Sequence, residues 1–272
     1  MKYLITFGCS WVWGAGLGYE EDMTFDQYTN IVWNEDLANQ YSFRSILSKK
    51  YNYNNINFSI WKSSNKKQFR LARQFFSSEQ FREIKNSAQE ILVLWGITST
   101  CRNEVFSSKR NDYINFLLNF PNPHDVIDKE LSEFFFKNLY DHDHEVFELA
   151  QEMNHWNDFF TYMQVKNYWF DSFNHHDYSV NSPGNYANTA NISNLVNDHN
   201  VGPRDLLSQL AINQGVKSMD SNYHSSVWIL DTDRLKVLID KKIINPHSFH
   251  PTRLGHEQIA QMFEDIFNKG NA

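Results

Sequence analysis

Glu90-Ile91-Leu92-Val93-Leu94-Trp95-Gly96 is the most strand-like stretch of the chain. Its apolar residues run on without the polar alternation of a half-exposed strand, and a glycine stops them. Such a run fits a strand covered on both faces, as in a parallel sheet flanked by helices. Leu4-Ile5-Thr6-Phe7-Gly8 is a shorter run of the same kind, with the same glycine stop.

Helical and extended segments alternate around these runs. Glu35 to Lys50 offers Leu37, Tyr41, Ile46 and Leu47 to one helical face. Asn57-Phe58-Ser59-Ile60 reads as a short strand, followed by polar Ser63-Ser64-Asn65 and a helix through Phe69, Ala72 and Phe76. Glu145 to Tyr162 reads as a long amphipathic helix and Asn167 to Phe173 as the next strand. A closing helix from about Thr252 to Phe267 carries Ile259, Met262, Phe263, Ile266 and Phe267 as a core stripe. This alternation implies right-handed crossovers and an α/β fold, a three-layer α/β/α sandwich around a central parallel sheet. Between Ser179 and Gly202 the pattern fails. Asparagine recurs there at 185, 188, 191, 194, 197 and 200 without an apolar period, which reads as a polar surface loop. The expected organisation is a single domain over residues 1–272, with an insertion at about 103–225.

Composition narrows the function classes. A net charge of −7 argues against a nucleic-acid or anionic-membrane surface. The longest charge-free apolar run, Ile91 to Cys101, falls far short of the ~20 residues of a spanning helix. No signal peptide is legible, and two cysteines, Cys9 and Cys101, are too few for a disulfide framework, so a reducing, cytoplasmic setting is expected. There is no Walker A loop and no strand-linked Gly-x-Gly-x-x-Gly, so no nucleotide or redox cofactor is implied. His142, His144, His175, His176 and Asp177 form His-rich stretches, but their spacing matches no established zinc pattern. Aromatic residues make up 16% of the chain, which leaves some for a binding cleft.

Chemistry is expected beyond the carboxyl ends of the strands. Gly8-Cys9-Ser10, Ser59 to Asn65 and Gly96-Ile97-Thr98 all lie at such ends, and His247-Ser248-Phe249-His250-Pro251 precedes the closing helix. A serine needs a neighbouring base to become a nucleophile, and histidine is the usual one. Together these segments resemble the blocks of the SGNH (GDSL-type) hydrolases, in a divergent branch often found in bacteriophages. The resemblance implies an ester hydrolase or deacetylase acting on a glycan or other small polar ester. Ser10 would be the nucleophile and His250 the base. The backbone N–H groups of Ser10 and Lys62 and the Thr98 hydroxyl would form the oxyanion hole. Three departures stand out: Lys62 replaces a glycine, Thr98 an asparagine, and His247 the aspartate that orients the base. A backbone carbonyl, or one of Asp231, Asp233 and Asp240, could orient His250 instead. Trp11, Asn65 and Arg102 are candidate substrate contacts. For Trp11 the alternative is packing under the loop, and for Arg102 pairing with a carboxylate. A binding or structural protein that kept the fold, and an O-acyltransferase using the same two residues, are the rival readings.

Overall fold

The computed structural model describes residues 1–108, 110–117, 126–173, 176, 178, 205–216 and 232–269. Four strands form the main sheet: β1 (Lys2–Phe7), β2 (Tyr53–Asn57), β3 (Glu90–Ile97) and β6 (Lys166–Asp171). Their order is β2-β1-β3-β6, and every neighbouring pair is parallel. The N-terminal strand is therefore internal, which explains its apolar run.

Successive residues of each strand face opposite sides of the sheet, and two buried clusters follow from that alternation. Ile5, Phe7, Val93, Trp95 and Trp169 pack against α5 (Asn65–Phe76), α6 (Glu79–Ser87) and α8 (His142–Tyr162). Leu4, Leu92, Leu94 and Phe170 pack against α4 (Phe43–Tyr51), α9 (Leu206–Asn213), α10 (Thr232–Asp240) and α11 (Arg253–Lys269). On the first face Phe7, Trp95 and Trp169 are register partners across three strands. Their rings stack at 4.6 and 4.7 Å between centroids, which locks the register as well as filling the core. The architecture is thus mixed α/β with a central parallel sheet.

Local expectations are corrected in places. The second strand is Tyr53–Asn57, earlier than the Asn57–Ile60 expected. Residues 58–60 still follow β1, because Phe58 N–H donates to Thr6 O and Ile60 N–H to Gly8 O. The helix expected over Glu35–Lys50 is two, α3 (Glu35–Tyr41) and α4, separated by extended Ser42 at ψ 153°. Within the 103–225 stretch, α8 and β6 belong to the main body. The excursion from the sheet is the hairpin of β4 (Arg102–Ser107) and β5 (Asp112–Leu117), followed by α7 (Val126–Asn138). Arg70 ties that hairpin to α5 through two bonds to the Glu104 carboxylate, at 2.8 and 3.0 Å. The asparagine-rich stretch lies wholly outside the described residues. Among the described residues no helix is long and apolar enough to cross a membrane.

Candidate active site

β1 delivers the chain to Gly8, where the backbone turns sharply into the short helix α1 (Ser10–Trp13). Gly8 has φ +149°, and a β-carbon there would lie 2.4 Å from Val12 Cγ2, so only glycine fits. Its N–H donates to Gln68 Oε1 at 2.9 Å, and Gln68 Nε2 donates to Ser63 Oγ at 2.6 Å. One buried glutamine thus fixes the serine turn against the loop after β2. Cys9 is fully buried in the core.

The chain then folds back through Gly16, at φ +95°, and meets the segment before α11. A β-carbon on Gly16 would approach the Pro251 carbonyl oxygen to 2.7 Å and His250 Cβ to 2.9 Å. This close passage brings together the two ends of the chain. His250 Nε2 lies 2.7 Å from Ser10 Oγ.

The other imidazole nitrogen finds a partner that the sequence reading missed. His250 Nδ1 lies 2.7 Å from Ser248 Oγ. Ser248 Oγ lies 3.1 Å from Asn245 Oδ1 and 2.5 Å from the Tyr28 hydroxyl. Asn245 Nδ2 donates to the His250 carbonyl at 2.9 Å and to the Tyr28 hydroxyl at 3.4 Å. One proton arrangement satisfies every group. Asn245 donates to Tyr28, and Tyr28 to Ser248. Ser248 donates to Asn245 Oδ1 and accepts the His250 Nδ1 proton, which leaves a lone pair on Nε2 facing the Ser10 hydroxyl. Burial holds the Tyr28 phenol above its ordinary range, so it remains a donor.

Burial, and then the nearby Arg102 guanidinium, push His250 down to about 3, against a smaller upward effect from Ser248. The imidazole is therefore neutral at pH 7, the form a general base requires.

His247 is placed differently from expectation. Its Nε2 lies 2.7 Å from the Met23 carbonyl, and its ring packs edge-on against Tyr19 and Phe25. It anchors the segment before α2 (Phe25–Thr29) and makes no hydrogen bond to His250. The left-handed turn at Phe249 (φ 56°) separates the two histidines, leaving the hydroxyl two residues upstream to meet the base. Of the alternative carboxylates, Asp231 lies outside the described residues.

Lys62 adopts the left-handed conformation, φ 54°, that glycine takes most easily. Thr98 is clasped by Asn65. The Thr98 N–H donates to Asn65 Oδ1 at 2.9 Å, and Asn65 Nδ2 donates to the Thr98 carbonyl at 2.8 Å. Asn65 thus positions the loop after β3, and it also lines a cavity of about 300 Å³. The Thr98 hydroxyl is buried and has no hydrogen-bond partner among the described residues. Trp11 is 4% exposed and packs on Phe173 at 5.9 Å, so it supports the loop from beneath and does not face a substrate. Arg102 is buried, its guanidinium 4.9 Å above the Phe173 ring.

The histidine-rich stretches take up ordinary partners. His142 Nδ1 meets the hydroxyls of Thr100 and Tyr140, and His144 pairs with Glu148. His176 and Tyr178 both bond the buried Asp171 at the end of β6. His175 and Asp177 lie outside the described residues.

Trp33 and Trp61 were also missed. Their rings lie 5.0 Å apart, and Trp33 meets the His250 ring edge-on at 6.4 Å. The surplus of aromatic residues was the only sequence signal for them. No protein-family model matches the chain, and comparison with curated proteins returns no match.

Proposed function

We propose that the chain is an SGNH-like serine hydrolase that cleaves an acyl ester of a small polar substrate. The 2.7 Å contact between Ser10 Oγ and the lone-pair nitrogen of His250 carries this reading. A central parallel sheet with a packed cluster on each face fits the three-layer fold that the motif blocks imply.

In the first half-reaction His250 Nε2 takes the Ser10 proton as Oγ bonds to the ester carbonyl carbon. Negative charge collects on the carbonyl oxygen, where the Ser10 and Lys62 N–H groups and the Thr98 hydroxyl would meet it. As the carbon–oxygen bond to the alcohol breaks, His250 returns the proton to the departing oxygen. In the second half a water gives its proton to His250 and attacks the acyl-serine. The acid leaves, and the proton returns to Ser10. Ser248 keeps the ring oriented throughout. Being neutral, it supplies less stabilisation to the imidazolium than a carboxylate would.

Labelling with a fluorophosphonate tests the reading without knowledge of the substrate. Wild type should label, whereas Ser10→Ala and His250→Gln should not. Wild type that neither labels nor turns over any acyl ester would leave a binding protein on a hydrolase fold.

A further inference from the structure

We infer that Trp33 and Trp61 form a stacking platform for a sugar ring, the alcohol half of the ester cleaved at Ser10; this rests on the hydrolase reading. The two tryptophans come from separate segments, one just before α3 and one in the loop after β2. Their rings nevertheless lie 5.0 Å apart at 34°. Trp33 is 38% exposed and Trp61 44%, so both rings keep surface open to a ligand. Trp13 braces Trp33 from beneath at 5.6 Å, so the platform is held in place.

Its position assigns it to the reaction. Trp33 meets the His250 ring edge-on, and His250 touches Ser10, which is itself buried. The paired indoles therefore stand beside the base that would return a proton to the departing alcohol. Lys62 sets its ammonium over the Trp61 ring, 4.8 Å from its centroid, where it adds a donor for a sugar's hydroxyl groups.

The chemistry favours a pyranose ring over a long acyl chain. A flat aromatic surface matches the C–H face of a sugar, while a long chain needs an enclosed apolar channel.

The test compares acetylated methyl pyranosides of the gluco, galacto and xylo series with vinyl acetate and vinyl octanoate. In Trp33→Ala and Trp61→Ala, the ratio of kcat/KM on the best pyranoside to that on vinyl acetate should fall roughly three- to tenfold. Trp33→Phe should restore most of the ratio. Calorimetric binding of the same pyranosides to Ser10→Ala should weaken to match when either tryptophan is removed. Equal losses on every ester, or a loss confined to vinyl octanoate, would overturn the platform. If fluorophosphonate labelling fails while tryptophan-dependent sugar binding persists, the hydrolase reading fails and the platform stands. If labelling succeeds and sugar binding ignores both tryptophans, only the platform fails.

Discussion

Ser248 Oγ stands 2.7 Å from His250 Nδ1, so a serine hydroxyl occupies the orienting place beside the candidate base. Ser248→Ala should lower kcat on any acyl ester by roughly ten- to a hundredfold with little change in KM, since the ring loses its guide and not its basicity. Tyr28→Phe should cost less, because Asn245 Oδ1 still directs the Ser248 hydroxyl. Steady-state kinetics on a soluble acetate ester checks both. Equal kcat in wild type and Ser248→Ala would remove Ser248 from the mechanism.

Thr98→Val separates activity from stability. The threonine hydroxyl is buried with no partner among the described residues, and an unsatisfied hydroxyl costs about 1–3 kcal/mol. Valine has nearly the same shape, so the variant should unfold at equal or higher urea concentration. Losing an oxyanion donor should at the same time reduce turnover by ~10²–10³. A less stable but fully active variant would reverse this assignment.

Gly16→Ala should be among the most damaging single-methyl changes in the chain. At φ +95° an alanine is strained, and its β-carbon would meet His250 Cβ and the Pro251 carbonyl. The urea midpoint should drop by the equivalent of about 1–3 kcal/mol, and fluorophosphonate labelling should slow with it. The same change at Gly215, where a β-carbon meets nothing within 4 Å, is the control, since it shares the positive φ without the crowding.

The pH dependence of labelling follows from burial and Arg102, which hold the His250 imidazolium well below the ordinary histidine range. His250 loses its base form only as pH falls through this lowered value. Labelling should therefore persist below pH 6, where an ordinary histidine would already be protonated. Arg102→Met removes the repulsion, so the acid limb of the labelling profile should move upward in pH. An unmoved limb would place Arg102 too far away to matter.

His256 gives a separate stability signal. It is fully buried, accepts the Phe43 N–H on Nδ1 at 3.3 Å, and is pushed down to about 3, chiefly by burial. The unfolded chain takes up this proton near pH 6.5 while the folded chain does not, so stability falls as pH drops below that point. His256→Asn keeps an acceptor for Phe43. It should lose less stability than wild type between pH 7 and pH 4.5, as read from urea midpoints.

The buried strands were legible because burial on both faces leaves little room for polar residues. Leu4–Phe7 and Ile91–Trp95 show this directly. β2 was misplaced by several residues because an edge strand of Tyr53, Asn54, Asn55, Ile56 and Asn57 carries no apolar signal. The break at Ser42 was hidden for a related reason, as both flanking segments suit a helix and only tertiary packing bends them apart. Ser10 and His250 could be paired from motif blocks alone. Ser248 could not, because the motif blocks pointed to His247, three residues before the base. The hydroxyl two residues before it meets the ring only where Phe249 takes up a left-handed turn. Trp33 and Trp61 were invisible for the plainest reason: nothing in a linear sequence brings residues 33 and 61 together.

Ser10 and His250 are 240 positions apart, and the strand that leads to Ser10 is an inner one, needing both β2 and β3 beside it. Closing so long a loop is slow compared with forming local helices, and its entropic cost comes before any contact offsets it. Ser10 therefore meets His250 only once the chain from residue 2 to residue 250 has assembled. On the proposed function, a partly made chain emerging from the ribosome would carry an inert serine, and reactivity toward a serine probe would double as a late clock for folding.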